Sequence, residues 1–263
     1  MVDRTEEAQA AATPDNRVRW WEPVVAFAAG NALGFVIVVA GAVATMFIAF
    51  RLGWQMPDPG ALTVRMRSNF GANMAVLAVT NLAMIAVMWW LVRRRERRPL
   101  AAYFPPVAAY WLWLAAAVGL VMAIALNGLN EVLSISNLVV FSDTETERAL
   151  VPHGAGQFLV SIAVVSLIAP LSEEVLFRGL LFRWLTGWRG QGFAVLVSAA
   201  VFGLMHGQFL IHPGVQGLLA SAELVAAGAV LAALVARTGS LRTSFATHAA
   251  YNLGAILFSV LLP

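Results

Sequence analysis

Long apolar runs separated by short polar links dominate this chain. Seven of them reach the roughly 17–25 residues needed to cross a hydrocarbon core. They are Val24–Phe50, Phe70–Val92, Val107–Leu126, Gln157–Leu185, Gln191–Gly207, Val215–Ala236 and Leu241–Leu262. The pattern predicts an all-α fold, a polytopic transmembrane bundle of about seven spans. Pro170 falls inside the fourth span and removes a backbone N–H, so a kink is expected there, tolerated where neighbouring helices or water satisfy the freed carbonyl. No internal repeat stands out. The domain reading is a cytoplasmic tail over 1–23 and one helical bundle over 24–263.

Composition agrees with the runs. The 263 residues are 60% hydrophobic and 12% charged, with a mean hydropathy of +0.77, too apolar for a soluble domain of this size. There is no cysteine, which excludes disulfides and thiolate–metal sites. Every basic residue other than histidine is arginine, and the arginines lie between the apolar runs. The high isoelectric point therefore points to membrane topology, not to nucleic acid, which would need a basic soluble face with interleaved aromatics. Asp3, Glu6, Glu7 and Asp15 in the tail, and the length of the run after it, argue against a signal peptide. The tail is expected to be disordered, with Trp20 and Trp21 at the interface.

Arginine placement predicts orientation. Arg93-Arg94-Arg95-Glu96-Arg97-Arg98, between the second and third spans, is the strongest cytoplasmic anchor. With it inside, Arg4, Arg17, Arg19, Arg183, Arg189, Arg237 and Arg242 also fall inside. Arg51, Arg65, Arg67 and Arg148 fall outside, giving twelve against four with the intraspan Arg178 left out. The N-terminus is then cytoplasmic and the C-terminus external. The link from Asn127 to Gly156 becomes external and acidic, with Glu131, Asp143, Glu145 and Glu147.

An ionisable side chain at bilayer depth costs about 2.5–3.5 kcal/mol on insertion scales, so each one needs a reason. The first three spans hold almost none; Asn31 and Asn81 read as interhelical hydrogen bonders. The last four hold Glu173, Glu174, Arg178, His206, Glu223, His248 and Asn252. Glu174 and Arg178 stand four apart on one helical face, acid before base, and can neutralise each other. Glu173 points about 100° away with no intrahelical cation, free to act as a general base in a wet apolar cavity. Phe202 precedes His206 by one turn, though a histidine satisfied by a backbone carbonyl is as good a reading of that fragment. His248 and Asn252 stack two donors on one face, suited to an oxyanion or to interhelical bonding. Depths of roughly 18 Å for Glu173, 22 Å for His206, 10 Å for His248 and 16 Å for Asn252 allow one meeting point without requiring it. His153 and His212 read as external loop residues, and Glu223 has no partner in sequence.

Taken together, Glu173-Glu174-xxx-Arg178, Phe202-xxx-His206 and His248-xxx-Asn252 resemble the motif set of the CPBP family of membrane endopeptidases. That family includes the prenyl-protein (CAAX) processing endopeptidase and bacterial Abi or bacteriocin-immunity proteins. The resemblance covers a core of about 157–258. It implies that Glu173 and His206 activate a water, that His248 and Asn252 stabilise the oxyanion, and that Glu174, Arg178 and Phe202 support the site. It implies a glutamic-type endopeptidase with no cofactor. A Glu/His/His zinc site is the less favoured alternative, since there is no His-Glu-xx-His helix. The implied partners are a peptide or membrane-protein substrate and the lipid bilayer, with no nucleic acid; the oligomer is left open, and the setting is the plasma membrane of a bacterium. Two other classes stay open: a non-catalytic immunity or scaffold protein, and a proton-coupled carrier.

Overall fold

The computed structural model describes residues 18–53, 58, 64–96, 100–136, 144–212 and 214–261. The expectations for tail residues 1–17, for Arg97, Arg98, Asp143 and Leu262, and for the side chains of Arg95, Glu96 and Glu145 lie outside what it describes.

The described chain is helical, without strands, and seven helices are long and apolar enough to cross a membrane. We number them span 1 (Trp21–Arg51), span 2 (Phe70–Glu96), span 3 (Ala109–Ile135), span 4 (Ala155–Arg189), span 5 (Gln191–Met205), span 6 (Val215–Thr238) and span 7 (Leu241–Leu261). The protein is an integral, multi-pass membrane protein. Span 3 runs nine residues past its expected end at Leu126. The polar residue that suggested a stop, Asn127, instead returns its side-chain N–H to the Ala123 carbonyl on its own helix. Asn31 behaves likewise: it donates to Phe27 one turn back, not across to a neighbour as the sequence suggested.

Span 4 is the hub. Half of its most apolar stretch is buried, against 6% for span 1, so span 1 faces lipid while span 4 is enclosed by protein. Leu176, Phe177 and Leu180 of span 4 pack with Met84 and Met88 of span 2, Phe202 of span 5 and Val235 of span 6. Its winding is interrupted. Ile162–Ile168 and Glu174–Leu181 are π-helical, and only Ala169–Glu173, containing Pro170, is α-helical between them. The sequence pointed to the proline but not to the two wide turns flanking it. Such turns recur at functional sites because they re-aim side chains.

Spans 3 and 7 form one tightly apposed pair. Ala115, Gly119 and Ala123, four residues apart on span 3, make a small-residue stripe against Thr247, Ala250 and Gly254. A Cβ on Gly119 would stand 2.2 Å from the Thr247 carbonyl oxygen. Small residues of this kind let membrane helices approach at backbone distance. The approach matters because His248 and Asn252 lie among these contact residues on span 7.

The links before span 4 and before span 6 are more ordered than expected. A short helix, Glu145–Leu150, starts with a full capping box in which Thr144 and Glu147 bond each other's backbone N–H. Glu147 Oε1 then meets His212 Nε2 at 2.9 Å. His212, expected as a loop residue, is 5% exposed; the short helix Gln208–Ile211 folds the loop back onto Gly217, which has no side chain to prevent it.

Candidate active site

The site is assembled from spans 4, 5 and 7. Glu173 ends the short α-helical stretch of span 4, and Glu174 opens the π-helical stretch after it. Glu174 and Arg178 are both fully buried, with Arg178 Nη1 3.1 Å from Glu174 Oε1. The second guanidinium nitrogen donates to the Gly228 carbonyl of span 6 at 3.0 Å, and the guanidinium lies over the Phe202 ring at 4.4 Å. A buried cation is thus met by a carboxylate, a carbonyl and an aromatic face, which is how a charge is tolerated away from water.

His248 stands between the two glutamates. Its Nδ1 is 2.9 Å from Glu174 Oε1, and its Nε2 is 3.7 Å from Glu173 Oε2. The same Glu173 oxygen is 3.8 Å from His206 Nε2, and it is buried without a hydrogen-bond partner. His206 lies just past the end of span 5, and its Nδ1 meets the Phe202 carbonyl at 2.7 Å. The backbone-carbonyl contact considered for this histidine is present at one nitrogen, and the other nitrogen faces Glu173. A carbonyl only accepts, so His206 carries its proton on Nδ1 and presents a lone pair at Nε2. His248 Nδ1–H donates to the Glu174 carboxylate by the same reasoning.

Phe202 is the platform of the site. It is buried and lies 4.6 Å from the His206 ring and 5.7 Å from the His248 ring, centroid to centroid. Asn252 is placed differently from the two histidines. Its Nδ2 donates to the Val165 carbonyl in the first π-helical stretch at 2.7 Å, which ties span 7 to span 4 and leaves one amide N–H for other work. Access is one-sided: the His206 side chain is 30% exposed, Glu173 20% and His248 7%. Glu173, His206 and His248 thus meet although residue counting put them about 12 Å apart in depth. The counts assumed level span ends and straight α-helices, whereas span 4 runs to Arg189 and contains two π-helical stretches.

Glu223 gains a partner: Asn130 Nδ2 of span 3 donates to it at 3.3 Å. No pattern in sequence joins those two positions. Sequence reasoning also missed the Ser172 hydroxyl bonded to Asn81 of span 2, directly beside Glu173. A serine next to two acids and an asparagine in an apolar span were the available signals. Among the described residues no three His, Asp or Glu side chains are arranged to hold a metal ion, so no step is derived through one. A cavity of about 530 Å³ at one end of spans 2 and 4 is lined by residues such as Asn69, Arg148 and His153, none of them in this cluster.

Residues 155–254 match the family model described as Type II CAAX prenyl endopeptidase Rce1-like. No curated protein matches the chain. No solved structure matches it. The matched segment contains Glu173, Glu174, Arg178, Phe202, His206, His248 and Asn252, and spans 1 to 3, with Asn81, lie outside it.

Proposed function

We propose that this protein, whose residues 155–254 match the Rce1-like, type II CAAX prenyl endopeptidase family model, hydrolyses a peptide bond of a membrane-associated or peptide substrate with a water activated by Glu173 and His206. The observation that carries the reading is the single Glu173 oxygen facing two imidazoles at 3.7 and 3.8 Å. Those separations are too long for direct hydrogen bonds and suit a water bonded on both sides. The water oxygen adds to the scissile carbonyl while its proton passes to Glu173, with His206 Nε2 accepting the second hydrogen bond. The carbonyl π pair moves onto oxygen, and the oxyanion meets His248 and the free N–H of Asn252.

For His248 to donate from Nε2 while Nδ1–H serves Glu174, the ring must be the imidazolium. Glu174 balances that charge on one side and Glu173 on the other. The C–N bond then breaks as Glu173 returns its proton to the departing amine. Water is consumed, one carboxyl and one amine are made, and the acid is regenerated. Glu174, Arg178 and Phe202 hold the imidazoles; they take no proton. The reading includes the bacterial plasma membrane and an N-terminus inside, supported by the arginine bias of the links. A prenylated CAAX end is the first substrate chemistry to test, because the family's name carries it.

The experiment compares membranes lacking the protein after addition of purified wild type or Glu173→Gln, with peptides followed by mass spectrometry. Products made by wild type and absent with Glu173→Gln are expected, and a chelator is expected to leave them unchanged. Equal products from a folded Glu173→Gln protein would end the proposal.

A further inference from the structure

Span 4 poses a mechanical problem that its own backbone does not solve. The five residues carrying Glu173 lie between two π-helical stretches, and Pro170 removes one more N–H from the ladder. One residue of rotation turns a side chain by about 100°, enough to swing Glu173 away from both histidines. The aim of that carboxylate therefore depends on ties from outside the span. The matched segment supplies ties on either side of the acid: Asn252 holds Val165 before Pro170, while His248 and the Arg178–Gly228 bond hold the stretch from Glu174 onward. Neither set reaches the five residues from Ala169 to Glu173.

A further tie, to the five-residue stretch itself, comes from span 2. The Ser172 hydroxyl bonds Asn81 Oδ1 and also lies 2.9 Å from the Ala169 carbonyl. Ser172 is fully buried and Asn81 is 5% exposed. Asn81 is itself oriented: its Nδ2 donates to the Leu77 carbonyl at 2.8 Å, which turns Oδ1 outward from span 2. Asn31 on span 1 makes the same turn-back bond without any tie to span 4 being present, so the bond to Ser172 is particular to Asn81. The packing around it is close, with Met84 and Met88 of span 2 in the core shared with Val175 and Leu176.

We propose that Asn81 is a positioning residue of the active site, acting through Ser172 to fix the direction of Glu173, so that span 2 belongs to the catalytic apparatus although it lies outside the matched segment. This rests on the water-activation reading above. It assigns a task to the asparagine beyond joining two helices. With the tie intact, the carboxylate is held at the two Nε2 atoms. Without it, the five-residue stretch turns within the slack of its π-helical flanks, and the fraction of molecules in the productive arrangement falls.

The test uses full-length protein in detergent with solubilised membranes, following the product peptides that wild type makes and Glu173→Gln does not. Asn81→Leu, Ser172→Ala and their double variant are compared with Asn31→Leu, together with Tm. Asn81→Leu and Ser172→Ala are each expected to slow all products about 10- to 100-fold with their relative amounts unchanged. The double variant should be no slower than the slower single one, because both cut one tie. Asn31→Leu should cleave at the wild-type rate. Should Asn81→Leu fail to fold, Ser172→Ala, which removes one oxygen, carries the test alone. Wild-type rates in folded Asn81→Leu or Ser172→Ala, or losses that multiply in the double variant, overturn the proposal while leaving the role of Glu173 standing. If wild type and Glu173→Gln give the same peptides, the hydrolytic reading falls first and this proposal with it.

Discussion

Replacing Arg178 with Met tests the electrostatic frame of the site. The substitution keeps an unbranched apolar stem over Phe202 and deletes the guanidinium. Glu174, fully buried, loses the cation 3.1 Å away, and the Gly228 carbonyl loses its donor at 3.0 Å. Breaking one side of a buried ion pair costs about 3–5 kcal/mol, and an orphaned buried carbonyl adds about 1–3 kcal/mol. Part of this is recovered where the His248 ring keeps its bond to Glu174, so a net loss of about 3–5 kcal/mol is expected. The assay is reversible unfolding in mixed micelles, read by tryptophan fluorescence, on Arg178→Met, Glu174→Gln and the double variant. Once Glu174 is neutral no charge is stranded, so the double variant should be more stable than Arg178→Met alone. A loss under about 1 kcal/mol for Arg178→Met, or a double variant worse than either single one, would refute the argument that this cation is there to neutralise Glu174.

Two further outcomes follow from the packing and the Glu147–His212 clasp. Gly119→Ala forces a Cβ against the Thr247 carbonyl and should cost about 1–3 kcal/mol and reduce cleavage by displacing span 7, whereas Gly128→Ala, with open space around it, should do neither; equal Tm values for the two would contradict this. Burial pushes the Glu147 carboxyl up, but bonds from the Thr144 backbone and the His212 ring outweigh it and hold the group below its ordinary 4.5. A depressed carboxyl stabilises the fold fully above its unfolded value and loses that contribution as pH falls through the folded one. Tm should therefore drop below about pH 4.5 in wild type, and the drop should shrink in Glu147→Gln; an identical acid profile in the two would count against the clasp.

Much of this was legible in sequence, for physical reasons. A span must be long and apolar, so the seven helices could be read from runs alone, and a charge inside a span must have a purpose, which singled out Glu173, Glu174, Arg178, His206 and His248. The pairing of Glu174 with Arg178 followed from helical spacing because both lie within one π-helical stretch. What could not be read is what depends on winding and on distant partners. An i+5 backbone bond leaves no mark in composition, so the π-helical stretches of span 4 were invisible. Asn130 and Glu223 are 93 residues apart, and Ser172 and Asn81 are 91 apart; neither pair lies on a common helical face. His212 looked like a loop residue because it sits between two turns, yet the loop folds inward there. Arg178 uses a backbone oxygen of span 6, and a carbonyl has no letter in the sequence.

The graded exposure of the cluster has a stereochemical corollary. His248 is walled in by Phe202 and Glu174, whereas His206 opens outward, so under the proposed reaction a planar amide would turn one of its two faces to a water between them. An inhibitor with its charged oxygen toward the closed flank and its bulk toward the open one would then fit, and one with those two groups exchanged would have nowhere to put its bulk.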